Sequence, residues 1–136
     1  MTDALVTIVF VDDEPDAIAA LTRAMHVNRP VWRVLTAGGA QDAVALVTAN
    51  LVSVVVTDMN MKGHDGLDLL DYLRSYRPAI GRIALTGMLD GPSFLSPGTK
   101  IAHHYLIKPC PIDRLIAAIE ERLAAARATE PPQPRS

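Results

Sequence analysis

The chain has little of what staples, spans or grips. Of its 136 residues one is cysteine, Cys110, so no internal disulfide can form, and no Cys-x-x-Cys pair or clustered Cys/His set offers a zinc site. That usage fits a reducing compartment, and a cytoplasmic location is the expectation. Aromatics make up 4% and the formal net charge is -2, which removes the basic stripe and stacking platforms of a nucleic-acid binder. No apolar run approaches the ~20 residues that a membrane helix needs, and the first residues lack a basic n-region and cleavage site. Neither nucleic acid nor membrane is therefore an expected partner.

Core-forming residues are plentiful. Hydrophobic residues reach 49% against 21% charged, too apolar for wholesale disorder. A chain of this length makes one domain and buries roughly 68–70% of its unfolded surface.

Leu5-Val6-Thr7-Ile8-Val9-Phe10-Val11 is a near-continuous apolar, β-branched run that ends in acids, the pattern of a parallel strand buried on both faces. Ala17 to Met25 follows with Ile18, Leu21 and Met25 at helical spacing, after a Pro15 suited to a first turn. The alternation repeats, with strands predicted at 31–36, 51–57, 80–86 and 102–107 and helices at 40–49 and 67–75. A final helix at 112–126 carries Ile112, Leu115, Ile116, Ile119 and Leu123 as one stripe. The α/β alternation predicts a five-stranded parallel sheet covered by helices on both faces. Residues 90–99 hold two prolines and two glycines where the fourth helix belongs, so that helix should be short or irregular. The domain is expected to span 1–127, with 128–136 a Pro-rich, disordered tail or the start of a linker.

Ligand chemistry in open α/β sheets sits beyond the carboxyl ends of the strands. Here the first strand ends in Asp12-Asp13-Glu14, the third in Thr57-Asp58, the fourth in Thr86-Gly87 and the fifth in Lys108-Pro109. Crowded carboxylates raise each other's pKa values unless a cation intervenes, and a hard ion such as Mg²⁺ suits oxygen donors that share it with phosphate. A carboxylate facing such a site can attack phosphorus, giving an acyl phosphate, while an ammonium and a hydroxyl hold the phosphoryl oxygens. Lys108 and Thr86 are of those types. The proline after Lys108 matters because a cis Lys108-Pro109 bond would aim the lysine at the site, and native cis peptides are mostly proline ones.

Val11-Asp12-Asp13-Glu14, Asp58-Met59-Asn60-Met61 with Asp65-Gly66 behind it, Leu85-Thr86-Gly87 and Tyr105-Leu106-Ile107-Lys108-Pro109 together resemble the receiver domain of two-component response regulators, over residues 5–126. The resemblance implies a flavodoxin-like, doubly wound sheet of order 2-1-3-4-5. It implies Asp58 as phosphoacceptor, Asp13 and Asp58 as direct Mg²⁺ ligands, Asp12 acting mainly through water, and the Asn60 carbonyl completing the metal site. It makes Thr86 and Lys108 the holders of the phosphoryl oxygens, and Tyr105 the switch aromatic that follows Thr86. The implied partners are a sensor histidine kinase or phosphotransfer protein, an output domain or partner protein, and a second copy in a phosphorylation-dependent homodimer. Self-phosphorylation and self-dephosphorylation then make a switch rather than a turnover enzyme. Lys62 stands where the family usually has proline, and Met88 is expected to screen the acyl phosphate from water. Phe10–Glu14 together with His104–Cys110 resembles receivers placed ahead of HDOD or HD-GYP output domains.

Other residues have plainer readings. His26, His64, His103 and His104 show no metal-ligand spacing; Cys110 reads as a small buried or half-buried residue; Met59 and Met61 pack; Trp32 covers a helix–sheet seam; Glu120 and Glu121 belong to a solvated face. Two other functions compete. A haloacid-dehalogenase type phosphatase wants Asp-x-Asp on its nucleophile strand, where Asp58-Met59-Asn60 stands here, and a non-phosphorylating pseudo-receiver is at odds with the intact acid set.

Overall fold

The computed structural model describes residues 5–61, 65–87 and 101–129. The irregular fourth helix expected at 90–99 lies outside them, as do Lys62, His64 and Met88. The described elements are β1 (Thr7–Val11), α1 (Pro15–Asn28), β2 (Arg33–Ala37), α2 (Ala40–Ala49), β3 (Val54–Asp58), α3 (Asp65–Tyr76), β4 (Gly81–Thr86), β5 (His104–Ile107) and α4 (Ile112–Thr129).

The strands form one parallel sheet in the order β2-β1-β3-β4-β5, as the resemblance implies. The three central strands β1, β3 and β4 are buried along their whole length, whereas β2 and β5 at the edges are part exposed. This is why the apolar runs are continuous in the middle of the sheet. Alternate side chains serve opposite faces. Ile8, Phe10, Val54, Val56, Ile83 and Leu85 pack with Met25 of α1 and Leu115, Ile116 and Ile119 of α4. Val9, Val11 and Val55 pack with Ala43 and Val47 of α2 and with Leu69 and Leu73 of α3. Each fully buried side chain of this size stabilises by about 1.5–3 kcal/mol, before the entropy of ordering is set against it.

Pro15 opens α1 in its first turn, where its missing N–H costs nothing. Trp32 is buried in the α1/α4 layer as expected, with the Arg29 guanidinium 5.7 Å from its ring centre. Glu120 and Glu121 are exposed, but each also holds a partner: Glu120 meets Arg29 at 2.8 Å and Glu121 meets His104 Nε2 at 3.0 Å. These contacts tie α4 to the end of α1 and to β5, and at such exposure the Arg29–Glu120 ion pair is worth little.

Sequence periodicity places several strand starts two or three residues early. Strand pairing as assigned begins at Thr7, Arg33, Val54 and His104, and the run-up residues Leu5, Val31 and Leu51 are 64%, 78% and 95% exposed. An apolar residue on the approach looks like a strand residue in sequence, whereas these three are exposed ahead of the paired segments.

Candidate functional site

The carboxyl ends of the strands deliver the charged residues to one edge. Past the end of β1, the Asp12 N–H donates to the Ala37 carbonyl at 3.1 Å, carrying the β1–β2 pairing one residue further. Its side chain is buried, 6% exposed, and Oδ1 accepts the Glu14 N–H at 2.9 Å. Asp13 beside it is exposed, and Asp58, the last residue of β3, is 4% exposed. One carboxylate oxygen from each of Asp12, Asp13 and Asp58 lies within 4.8 Å of the others. Burial raises the Asp12 carboxyl above its ordinary value, the charges of Asp58 and Asp13 add to that, and the Glu14 N–H and Lys108 work against it.

The cation arrives from β5. Lys108 N–H donates to the Thr86 carbonyl at 2.8 Å, which extends the β4–β5 pairing past Ile107 and carries the side chain to the acids. Its Nζ stands 3.0 Å from Asp58 Oδ1. The Lys108–Pro109 bond is cis. Thr86 closes β4 as a buried residue, 4% exposed.

Asp58 is fixed from its own loop as well. The Met59 N–H donates to the Leu85 carbonyl at 2.8 Å, and the Asn60 N–H donates to Asp58 Oδ1 at 3.0 Å. Asn60 also reaches across to the neighbouring strand end, its Oδ1 accepting the Gly87 N–H at 3.0 Å. Behind the strand, α3 comes so close that a β-carbon on Gly66 would lie 2.8 Å from the Asp58 carbonyl oxygen and 3.0 Å from Met59 Sδ.

The structure therefore brings Asp12, Asp13, Asp58 and Lys108 together, with Asn60 hydrogen-bonded to Asp58 and Thr86 at the end of the adjacent strand. Tyr105 lies one step back. It pairs with Ala84 in the β4–β5 register while Thr86 pairs with Ile107, so Thr86 and Tyr105 are diagonal neighbours on one face. The Tyr105 hydroxyl accepts two backbone N–H groups, from Ile101 at 2.8 Å and Ala102 at 3.0 Å.

Among the described residues no histidine joins a metal-like cluster. His103 instead accepts the Arg82 N–H on Nδ1 at 3.0 Å. Burial lowers its pKa to about 4, with the nearby charges of Arg82, Arg122 and His104 acting in the same direction. Cys110 is half-buried and burial raises its thiol pKa. Met61 is buried and Met59 partly so. Sequence reasoning missed the Asn60 side-chain bond to Gly87, the Gly66 contact and the His103 acceptor. The first follows only from the strand register, since with Asp58 opposite Leu85 Asn60 falls opposite Gly87.

Three acids grouped at a strand edge with one ammonium on the central acid form an oxygen-donor site for a hard cation and for an anionic group bound to it. The family model for the response regulator receiver domain matches residues 8–120. The hydrogenase transcriptional regulatory protein HoxA of Cupriavidus necator is 32% identical over 126 residues, covering 92% of this chain and 26% of that protein. The probable transcriptional regulatory protein TcrX of Mycobacterium tuberculosis is 30% identical over 118 residues, covering 87% of this chain and 50% of that protein. The chain thus spans between a quarter and a half of these relatives' length. A solved response regulator receiver domain protein from Clostridium thermocellum aligns with a TM-score of 0.83 at 26% identity, covering 93% of this chain and 100% of that one. With the match running from inside β1 to inside α4, the chain belongs to the receiver domains of two-component response regulators, the phosphoacceptor switches of that signalling system.

Proposed function

We propose that Asp58 is the phosphoacceptor and that Lys108 and Thr86 hold the phosphoryl oxygens. The carrying observation is the Lys108 ammonium 3.0 Å from Asp58 Oδ1, within the group formed by Asp12, Asp13 and Asp58. In transfer from a phosphohistidine, an Asp58 carboxylate oxygen forms the new bond to phosphorus. The phosphorus–nitrogen bond breaks, and its electron pair returns to the imidazole of the donor. Lys108 neutralises charge on the transferring group, and the Thr86 hydroxyl donates to one of its oxygens.

The donor set of Asp12, Asp13 and Asp58 consists of hard oxygens, and the raised Asp12 carboxyl is what a cation would relieve. Mg²⁺ fits that set, with Asp13 and Asp58 as direct ligands, Asp12 through water and the Asn60 carbonyl completing the protein's share. An ion held by these residues would supply charge neutralisation to the phosphoryl oxygens. The donor would be a sensor histidine kinase or a phosphotransfer protein. The relatives named above are transcriptional regulators of which this unit forms part, which supports an output domain or a separate partner protein as the receiver of the signal. Residues 1–127 would be the switch unit and 128–136 a Pro-rich tail or the start of a linker, although α4 runs on to Thr129 and 130–136 lie outside the described residues.

Acetyl phosphate with Mg²⁺ tests the reading. The intact protein should gain a single phosphoryl mass that chelation of the metal prevents. Continuous release of inorganic phosphate at a rate far above label loss would instead indicate a phosphatase, and no label at all a binding module.

A further inference from the structure

β3 and β4 pair in parallel up to Asp58 opposite Leu85, and the last backbone bond of that ladder runs from Met59 N–H to the Leu85 carbonyl. Continuing the register by two residues sets Asn60 opposite Gly87. No backbone carbonyl takes the next bond there. The Asn60 carboxamide does, its Oδ1 accepting the Gly87 N–H at 3.0 Å. A β-carbon on Gly87 would still lie 3.6 Å from both Oδ1 and Nδ2 of Asn60, so the carboxamide rests in ordinary contact against the glycine. The same residue donates its own N–H to Asp58 Oδ1 at 3.0 Å. Asn60 thus holds both lips of the cleft, the acceptor carboxylate through its backbone and the Thr86–Gly87 turn through its side chain.

We propose that Asn60 is a positioning residue that occupies the Gly87 N–H before phosphorylation and yields it to an anionic oxygen attached at Asp58. The inference rests on the phosphoacceptor reading of Asp58. The exchange follows from bond strengths: an N–H gains more from a charged oxygen than from a neutral amide, roughly twice as much. The cost is small, because the released carboxamide belongs to an exposed residue and is met by water. The Thr86–Gly87 turn therefore has a partner in both conditions, and the identity of that partner reports whether Asp58 carries an anion.

The test uses the full chain labelled with nitrogen-15, with Mg²⁺ and beryllofluoride as the phosphoryl mimic. In the unmodified protein the mimic should shift the Gly87 amide and the Asn60 side-chain NH₂ signals together. Asn60→Ala should move the Gly87 amide toward a water-bonded position without the mimic. It should also bind the mimic about two- to tenfold more tightly, the equivalent of one ordinary net hydrogen bond removed from the competing condition, and the same loss should slightly lower the thermal midpoint of the mimic-free protein. Equal or weaker affinity in Asn60→Ala, or a Gly87 amide indifferent to the substitution, overturns the inference while leaving the acceptor assignment standing. Failure of both proteins to bind the mimic overturns the phosphoacceptor reading and this inference with it.

Discussion

Gly66, in the first turn of α3, lies against the backbone of Asp58 so closely that a β-carbon would come within 2.8 Å of the Asp58 carbonyl oxygen. Real β-carbons do not approach an oxygen that closely, so either α3 or the end of β3 must move. Gly66→Ala should cost about 1–3 kcal/mol of stability by overpacking, read from urea unfolding, and should slow acetyl-phosphate labelling because the displaced backbone carries Asp58. Unaltered stability and labelling would show that the contact is not tight.

The Asp12 carboxyl is raised by burial and by its acidic neighbours. Its folded pKa lies above the unfolded value of 3.8, so this group's contribution to stability is full below that value and is lost as pH rises through the folded pKa. At neutral pH it is a destabilising charge. Asp12→Asn keeps an acceptor for the Glu14 N–H and removes the charge, so in the presence of a chelator it should raise the urea midpoint. Mg²⁺ should stabilise the unsubstituted protein in proportion to its binding and the variant less. A lower midpoint for the variant would contradict this account.

Tyr105 offers a separate reporter. Its hydroxyl accepts the Ile101 and Ala102 N–H groups, so any turn of the ring toward Thr86 must release both. Beryllofluoride should therefore speed amide exchange at residues 101 and 102. Tyr105→Phe should leave those amides unpaired at a cost of about 1–3 kcal/mol and make their exchange fast with or without the mimic. Exchange at 101 and 102 unchanged by the mimic would show that Tyr105 does not move.

The third histidine of the chain has a structural task that pH can reveal. With His103 lowered from 6.5 to about 4, the unfolded chain takes up a proton across that window and the folded one does not. Stability present above pH 6.5 is then lost as pH falls toward about 4. His103→Asn retains an acceptor for the Arg82 N–H without a titrating ring. It should flatten the stability profile in that window. An equally steep profile in the variant would place the acid sensitivity elsewhere.

Much of this was readable before any coordinates. The apolar run up to Val11 reads as a strand buried on both faces, and four strand ends terminating in Asp12-Asp13, Asp58, Thr86 and Lys108 announced their common edge through the chemistry they share. What the sequence did not carry was pairing. Leu5, Val31 and Leu51 looked like strand residues because hydropathy is blind to whether a neighbouring chain lies beside them. His103 looked like a spare histidine because its acceptor role depends on Arg82, 21 residues away. The bond from Gly87 to the Asn60 side chain depends on register across two strands, a relation that no local pattern encodes. The contact of Gly66 with Asp58 likewise depends on where α3 packs, although the Asp65-Gly66 pair itself was visible.

The account stands most directly on which carboxylate takes the phosphoryl group. After labelling with acetyl phosphate and Mg²⁺, borohydride reduces an aspartyl phosphate to homoserine, and peptide mass mapping then reads its position. The account predicts homoserine at residue 58, and its absence from Asp58→Asn. Homoserine at residue 12 or 13, or label retained in Asp58→Asn, would contradict it.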